Sequence, residues 1–368
     1  MVVRAITKAL IERGDQVWVF SFEAESDRRF REIGARLVRT PFWFDSITPL
    51  DALVTLHLWN VCRRERFDLV ATHTSKGGFI GRIAARLAGV PHIVHHAHGF
   101  SFNRVLKPPA LRFYVALEKF AARFGDYTIS VNDQHRRMAI DLNVTGPDRI
   151  CTVLNGIDLA PFASANRTAT REQLGVGKNT PLIGAVGRMA PQKGFTYLIR
   201  ALPAVLKQVP EARLILVGDG PLRKELQDEA ERSGMSGQVQ FLEFRRDIPA
   251  LLSAFDCFVQ PSLWEGLSIS LIEALAAGRP IVATDIDGNR EALSHEVTGL
   301  LVPPANIESL ADAICRVLMN ENLSARLAEN AGLAAAAQFS EERMVQQNLA
   351  VYDRVVGTAT TRPAYRPA

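Results

Sequence analysis

The segment CFVQPSLWEGLSISLIEALAAGRPIVAT, residues 257–284, contains one complete strand–helix–strand unit. Short apolar runs at Cys257–Gln260 and Ile281–Thr284 predict two buried strands. The stretch from Leu267 to Ala277 is apolar or small almost all round, which predicts a buried helix between them. Strands that are joined through a helix in this way are typical of a parallel sheet.

Two carboxylates interrupt this apolar segment, Glu265 just before the predicted helix and Glu273 in its middle. A buried carboxylate is costly unless it is hydrogen-bonded or paired, so Glu273 needs a partner. Glu265 and Gly266 can face a ligand together with the N–H groups of the first helical turn. Glu273 can accept hydrogen bonds from two vicinal hydroxyls, such as those of a ribose. The alternative is a Glu265 that caps the helix and a Glu273 that pairs with an arginine.

The same alternation of short apolar runs and longer helical patterns extends over most of the chain, and it predicts an α/β fold with two separate parallel sheets. In the first half, the predicted strands are Gln16–Phe20, Ala35–Val38, Leu69–Thr72, His92–His95, Tyr127–Val131 and Ile150–Leu154. In the second half, they are Leu182–Val186, Arg213–Val217, Val239–Leu242, Cys257–Gln260, Ile281–Thr284 and Leu300–Val302.

The predicted domain organisation is two Rossmann-like domains with a hinge between them. The hinge is placed in the stretch from Asn155 to Thr180, which is rich in small and turn-forming residues. The predicted parts are an N-terminal domain at 1–160, a linker at 161–180, a C-terminal domain at 181–340, a helix at 341–356 that packs back on the N-terminal domain, and a disordered tail at 357–368.

The chain opens with a helical pattern, VVRAITKALIERG at 2–14, which is followed by a strand in DQVWVF at 15–20. A doubly wound domain normally opens with a strand and a glycine-rich turn that binds phosphate. The sequence therefore indicates a shortened version of a longer protein, or a domain that lacks its first strand and glycine-rich loop.

Composition excludes several classes of protein. With 47% hydrophobic and 22% charged residues, the 368-residue chain is of the globular kind and long enough for two domains. Four scattered cysteines without a CxxC pattern predict reduced thiols in a cytoplasmic protein and no zinc site. No apolar run is long enough to span a bilayer. The first 155 residues carry an excess of Lys and Arg, which indicates either solvated surface or a face toward anionic lipid or phosphate.

The segment GAVGRMAPQKGF at 184–195 leads from a predicted strand into a turn that contains Gly187, Arg188 and Lys193. Glycine lets the backbone approach a ligand, and the two cations could straddle a diphosphate. An ordinary charged surface loop is the alternative. Cations just beyond the carboxyl end of a strand favour the phosphate site, since open α/β sheets bind ligands there.

Two further motifs are weaker. In LVGDGPLRKEL at 216–226, Gly218 and Gly220 resemble a dinucleotide fingerprint, but Arg223 stands where its third glycine would be, which disfavours a nicotinamide oxidoreductase. Asp285 and Asp287 have a spacing that some cation sites use. Two carboxylates alone bind a hard cation poorly, so the sequence favours a simple turn there.

Four histidines, His73, His95, His96 and His98, lie at or after two predicted strands of the first half. His98 is the best candidate for a chemical role because it follows a strand and precedes Gly99. Histidines without any chemical role are the alternative, and no zinc ligand set is recognisable among them.

Together, these motifs resemble the retaining glycosyltransferases of family 4 over nearly the whole chain. The segments that carry the resemblance are THTSKGGFIGRIAARLAGVPHIVHHAHGF, VLNGIDLAPF, AVGRMAPQKGF, LILVGDGPLRKEL, VQFLEFRRDIPALLSAFDCFVQPSLWEGLSISLIEALAAGRPIVATDIDGNREAL and TGLLVPP. The resemblance implies the GT-B architecture, in which two Rossmann-like domains face a cleft. The subset with THT and HGFSF is similar to capsule and exopolysaccharide enzymes that use UDP-sugars.

The resemblance also implies roles for individual residues. It places Glu265 against the hydroxyls of the transferred sugar with the backbone N–H groups of Gly266 and Leu267, and Glu273 on the nucleotide ribose. The catalytic residues that it implies are His98 beside the donor sugar, Arg188 and Lys193 at the diphosphate, and Glu265. The remaining donor-binding residues that it implies are Gly187, Gly218, and Phe244 and Arg245 near the base. No metal or cofactor is expected, because the cations neutralise the leaving UDP.

The implied activity is metal-independent, retaining transfer of a hexose or N-acetylhexosamine from a UDP-sugar to a polyprenyl-diphosphate-linked saccharide in surface-polysaccharide assembly. The alternatives are a catalytically impaired nucleotide-sugar-binding protein and a GT-B sugar-nucleotide epimerase. We expect no nucleic-acid partner.

The basic, amphipathic segment at 103–124 could rest on the cytoplasmic face of the inner membrane or pack as an ordinary domain helix. Its cations are Arg104, Lys107, Arg112, Lys119 and Arg123.

Overall fold

The computed structural model of this chain describes residues 2–21, 24–40, 48–100, 102 and 107–357. These residues form two compact units. One unit contains the chain up to Asn155 together with the chain from Glu341 onward, and the other is Gly156–Ser340. Each predicted strand is observed, with ends that differ from the prediction by at most two residues, which is the usual uncertainty of such boundaries.

The first unit contains two parallel sheets rather than the single one that was predicted. Its strands are β1 (Trp18–Ser21), β2 (Arg36–Arg39), β3 (Leu69–His73), β4 (His92–Ala97), β5 (Tyr127–Ser130) and β6 (Ile150–Thr152). β1 pairs with β2, whereas the other strands form a four-stranded sheet in the order β3-β4-β5-β6. Side-chain packing connects β1 to the segment before β3, since the rings of Phe20 and Phe67 lie 6.2 Å apart. The alternation of short apolar runs with longer helical patterns predicts where strands lie, but it does not predict which strands pair.

The helices of this unit flank the four-stranded sheet. They are α1 (Val2–Glu12), α2 (Ala24–Glu32), α3 (Asp51–Glu65), α4 (Ser75–Leu87), α5 (Pro108–Ala122) and α6 (Asp133–Asp141). The guanidinium of Arg82 on α4 is buried and pairs with Glu118 on α5 at 2.7 Å. This ion pair fixes α5 against α4. Arg104, at the start of the predicted basic segment, lies outside the described residues.

The second unit is built on one six-stranded parallel sheet. Its strands are β7 (Leu182–Val186), β8 (Arg213–Val217), β9 (Val239–Leu242), β10 (Cys257–Gln260), β11 (Ile281–Thr284) and β12 (Leu300–Val302), in the order β12-β11-β10-β7-β8-β9. The helices are α7 (Ala160–Ala163), α8 (Arg167–Gln173), α9 (Phe195–Gln208), α10 (Arg223–Arg232), α11 (Ile248–Ala254), α12 (Ile269–Ala276), α13 (Asp287–Arg290), α14 (Ile307–Met319) and α15 (Glu321–Gln338). Fully buried aliphatic strands match a sheet that is covered on both faces.

The stretch predicted as a linker, 161–180, is instead part of the second unit. Arg167 donates to the carbonyl of Ser253 at 2.9 Å, and Arg171 donates to the carbonyl of Ala254 at 2.8 Å. Both arginines also pair with Asp256. These bonds satisfy carbonyl groups at the end of α11, so a segment with linker-like composition is held in place by its two arginines.

The final helix, α16 (Glu341–Gly357), belongs to the first unit. Its apolar face, which includes Met344, Val351 and Tyr352, shares a core cluster with Ile6 of α1 and Val94 of β4. The tail that was predicted to be disordered lies outside the described residues from residue 358 onward. Among the helices that the structure describes, none combines the length and the apolar character that crossing a bilayer requires.

Candidate functional site

The strand order of the second unit reverses beside β7, which lies between β8 on one side and β10 on the other. In open α/β sheets, ligands bind at such a switch point, outside the carboxyl ends of the strands. The loop after β7 carries Gly187, Arg188 and Lys193, and the loop after β10 carries Glu265. The topology therefore brings these residues together at the carboxyl ends of neighbouring strands in one sheet.

The carboxylate of Glu265 is almost fully buried and is held by several donors. Lys193 Nζ lies 2.7 Å from Oε1 and Ser262 Oγ lies 2.9 Å from the same oxygen. Gln192 Nε2 donates to Oε2 at 2.9 Å, and Gln260 Nε2 donates to Oε1 at 3.2 Å. Glu265 is thus fixed in position by the two loops, and these bonds are not those of a helix cap.

The polar residues that support Glu265 were not predicted from the sequence. Gln260, at the end of β10, also donates to Ser268 Oγ at 3.1 Å and accepts from Ser270 Oγ at 3.3 Å. These three side chains are buried, so the network orders the start of α12 as well as Glu265. A glutamine that ends an otherwise apolar strand is the one signal that could have identified it.

The two predicted diphosphate cations differ in their surroundings. Lys193 is largely buried and paired with Glu265, whereas Arg188 is exposed and has no hydrogen-bonding or ionic partner in the described part of the chain. Gly218, after β8, has φ +134°, and a Cβ there would lie 2.1 Å from the carbonyl oxygen of Gly187. The loops after β7 and β8 are therefore in direct backbone contact, which only glycine permits.

Glu273 lies in α12, which begins at Ile269 and not at the predicted Leu267. Ser268 has an extended backbone and occupies the N-cap position, so the helix cannot begin earlier. No described side chain bonds the carboxyl group of Glu273, and the alternative of an arginine partner is therefore not observed. Burial raises the pKa of Glu273 to about 7. The side chain is a partly buried acceptor for which the described residues supply no partner.

The loop after β9 contains the two residues implied near the nucleotide base. The ring of Phe244 is 70% exposed, which leaves its face available for stacking. Arg245 donates to Asp247 at 2.7 Å, and this bond with its ion pair raises the pKa of the guanidinium. Arg223, which disfavoured a dinucleotide site, donates to the carbonyl of Gly218 at 3.0 Å. The side chain of Arg223 thus lies against the loop after β8, where a dinucleotide fingerprint would have its third glycine and no side chain.

The two aspartates with cation-like spacing share an arginine. Arg290 pairs with Asp285 at 2.6 Å and with Asp287 at 3.4 Å. The first contact lowers the pKa of Asp285 through a hydrogen bond and the positive charge. Over the ranges that the structure describes, no three side chains of metal-binding type gather around one point.

His98 belongs to the first unit, where it directly follows β4. Its Nε2 lies 3.1 Å from Nδ1 of His73, and the ring of His73 stacks on that of His96 at 4.3 Å. Burial lowers the pKa of His98, so the ring is a neutral hydrogen-bonding group near pH 7. His95 is also buried and contacts Thr72 Oγ1 at 3.0 Å.

Two family models cover most of the chain. The model described as Glycosyltransferase Family 4 matches residues 1–161. The model described as Glycosyl transferases group 1 matches residues 166–333.

Curated relatives extend this similarity. The chain is 35% identical over 267 residues to the UDP-Gal:alpha-D-GlcNAc-diphosphoundecaprenol alpha-1,3-galactosyltransferase of Escherichia coli, covering 71% of this chain and 69% of that protein. It is 30% identical over 363 residues to the N,N'-diacetylbacillosaminyl-diphospho-undecaprenol alpha-1,3-N-acetylgalactosaminyltransferase of Campylobacter jejuni, covering 95% and 94%. Among solved structures, Anabaena HepE in complex with UDP-glucose superposes with a TM-score of 0.82 at 26% identity, over 96% of this chain and 95% of that one.

Proposed function

The chain belongs to the family 4 glycosyltransferases of GT-B architecture, and from this premise we propose that it transfers a hexose or N-acetylhexosamine from a UDP-sugar to a saccharide on a polyprenyl diphosphate. The names of the E. coli and C. jejuni relatives support the lipid-linked acceptor, and the UDP-glucose complex of HepE supports the donor. Such a reaction belongs to the assembly of a surface polysaccharide.

Glu273 is the observation that carries the donor assignment. It is a partly buried carboxyl group that no described side chain bonds, and its desolvation has raised its pKa to about 7. A pair of ribose hydroxyls would donate to both carboxylate oxygens and would favour the charged form, which offsets the cost of burial. A nucleotide thus supplies the partner that the protein lacks.

Arg188 and Lys193 are the residues that we assign to the diphosphate. The exposed guanidinium of Arg188 is free to form charge-assisted bonds with phosphate oxygens. The ammonium of Lys193 uses one of its three N–H donors on Glu265, so two remain for a ligand. With both cations at the leaving group, the proposed reaction needs no divalent metal ion.

The proposed reaction breaks the bond between the anomeric carbon and the β-phosphate oxygen and forms a bond from that carbon to an acceptor hydroxyl oxygen. Negative charge develops on the diphosphate, where Arg188 and Lys193 stabilise the transition state more than the bound substrate. The acceptor attacks from the side of the leaving group, which retains the configuration, and its proton passes to the diphosphate. Glu265 holds hydroxyls of the transferred sugar, and His98 donates or accepts a hydrogen bond beside it.

The acceptor lipid requires that the protein reach a membrane surface, and α5 has a face that fits this task. Its exposed side chains recur at helical spacing and combine cations with aromatic rings: Arg112, Phe113, Lys119 and Phe120, with Arg123 directly after the helix as its C-cap. Cations next to aromatic rings are the composition with which a helix lies in the interface of an anionic bilayer. We therefore place the enzyme at the cytoplasmic face of the inner membrane, with α5 as its contact.

The function is tested by incubating the purified chain with a panel of UDP-sugars and a bacterial lipid extract, and by measuring UDP release and the lipid product. We expect UDP release that requires both one UDP-sugar and the extract. Conversion of a UDP-sugar without the extract would identify an epimerase. Binding without turnover would identify a nucleotide-sugar-binding protein.

A further inference from the structure

Three histidines and a tyrosine of the first unit form a continuous series of side-chain contacts that ends at His98. Tyr352 Oη lies 2.7 Å from Nε2 of His96. The ring of His96 stacks on that of His73, with centroids 4.3 Å apart and planes 26° apart. Nδ1 of His73 then lies 3.1 Å from Nε2 of His98. This contact series leads from Tyr352 on α16 to His98, which the proposed function places beside the donor sugar.

The strands position these rings. His73 is the last residue of β3 and is the register partner of His96 on β4, so their side chains stand on the same face of the sheet. His98 follows two residues after His96 and therefore returns to that face. Tyr352 reaches His96 from α16, where it is buried in the core that α16 shares with β4.

The rings of this contact series are neutral. Burial, and the neighbouring ring of His98, lower the pKa of His73 to about 3, and burial lowers the pKa of His96 well below its usual range. Burial also raises the pKa of Tyr352, which keeps its proton. Arg82 is the charged group that acts on the adjacent His95, and its positive charge further disfavours protonation there.

A neutral imidazole carries one N–H donor and one bare nitrogen acceptor. Between Nδ1 of His73 and Nε2 of His98 there is room for one hydrogen, so one ring donates and the other accepts. The nitrogen of His98 that points away from His73 therefore has only one role, as donor or as acceptor, for each tautomer of His73. Without that contact both tautomers of His98 are available.

We propose that His73 is a positioning residue that fixes the ring orientation and the tautomer of His98, with His96 and Tyr352 holding His73 in place. The inference rests on the proposed function, in which His98 contacts the donor sugar. A carboxylate partner would orient the ring equally well, but it would raise the pKa of His98 and favour an imidazolium. A histidine partner orients His98 and leaves it neutral.

The tautomer is measured by NMR on the full chain with 15N-labelled histidine, in which the His98 signals are assigned by their loss in His98→Gln. We expect a single tautomer of His98 in the wild type and averaged nitrogen shifts in His73→Leu. His73→Asn should restore a single tautomer, because its amide places a hydrogen-bonding atom close to the position of Nδ1. A mixture in the wild type, or an unchanged single tautomer in His73→Leu, would overturn the proposal.

Kinetics with the UDP-sugar that the donor panel identifies and with the lipid extract provide the second readout. We expect His73→Leu to lower kcat at least tenfold with little change in KM for that UDP-sugar, and His73→Asn to recover most of the loss. His57→Leu, which removes a ring on α3, is the matched control and should leave kcat unchanged. An equal loss in His73→Asn and His73→Leu would contradict the positioning role. A single tautomer in a protein without transferase activity would reject the proposed function and leave the role of His73 intact.

Discussion

At the scale of single residues, the proposed ribose contact of Glu273 rests on a carboxyl group that has no partner among the described side chains. The sequence predicted a buried carboxylate that needs a partner, and the described part of the chain supplies none. This carboxylate was visible in the sequence because it interrupts an otherwise apolar helix. The start of α12 was not, because it depends on the extended backbone at Ser268.

The raised pKa of Glu273 makes stability depend on pH. The folded-state pKa of about 7 exceeds the ordinary value of 4.5, so ionisation opposes folding as pH rises from 4.5 to 7. The cost is absent below 4.5 and complete above 7, where it reaches up to about 3 kcal/mol. Glu273→Gln should therefore raise Tm more at pH 8 than at pH 5 in calorimetry without nucleotide.

Glu231→Gln is the matched control for that experiment, because Glu231 is an exposed carboxylate on α10. It should leave Tm unchanged at both pH values. An equal gain in Tm for Glu273→Gln at pH 5 and pH 8 would show that its carboxyl group does not titrate as described.

At the scale of elements, the strands were predictable and their contacts were not. Short apolar runs bounded by turn residues specify the strands locally. The bond between Lys193 and Glu265 joins residues 72 positions apart. The hydrogen bonds of Gln260 likewise depend on where the loops after β7 and β10 meet. The wrong prediction of a linker at 161–180 has the same origin, since Arg167 and Arg171 bond carbonyls that are distant in sequence.

The contact between the loops after β7 and β10 makes Lys193 a sensitive position. Lys193→Ala removes the proposed diphosphate contact and also leaves the buried carboxylate of Glu265 without its cation. We expect turnover with lipid extract and the UDP-sugar that the donor panel identifies to fall at least tenfold, which corresponds to about 1.4 kcal/mol or more of transition-state stabilisation. Lys224→Ala, an exposed lysine on α10, should retain wild-type turnover. A normal rate in Lys193→Ala would remove it from the site.

The ion pair between α4 and α5 predicts a large effect on stability. Arg82 is 1% exposed, and Glu118 is its only carboxylate partner among the described contacts. Glu118→Ala leaves a buried, unpaired charge and should lower the free energy of unfolding by about 3–5 kcal/mol in urea titrations. Asp228→Ala, which breaks an exposed pair on α10, should cause no measurable change. If Glu118→Ala changed the free energy of unfolding as little as Asp228→Ala does, water would be solvating the guanidinium of Arg82 and the ion pair would not be required.

At the scale of the whole molecule, family membership explains why the chain consists of two units that are built alike. Each unit carries a parallel sheet with helices on it, and the chain returns to the first unit through α16. The sequence predicted both units from alternation. It could not predict that the first half divides into two sheets, because pairing depends on which strand edges meet.

The proposed membrane contact of α5 is a property of the molecule as a whole. The rings of Phe113 and Phe120 are 60% and 45% exposed. Replacing both with serine should weaken binding to vesicles of phosphatidylglycerol at least tenfold in sedimentation assays, without changing binding of UDP-glucose. Leu333→Ser, an exposed apolar residue on α15 of the second unit, should bind vesicles like the wild type. Equal binding by the double variant would exclude α5 as the contact.

The most direct test of the account is a crystal structure of the protein with UDP. We expect the ribose hydroxyls within hydrogen-bonding distance of the Glu273 carboxylate, and the diphosphate against Arg188 and Lys193 at the carboxyl ends of β7 and β10. UDP bound at another place on the second unit, with the carboxyl group of Glu273 still unoccupied, would contradict the assignment of the donor site.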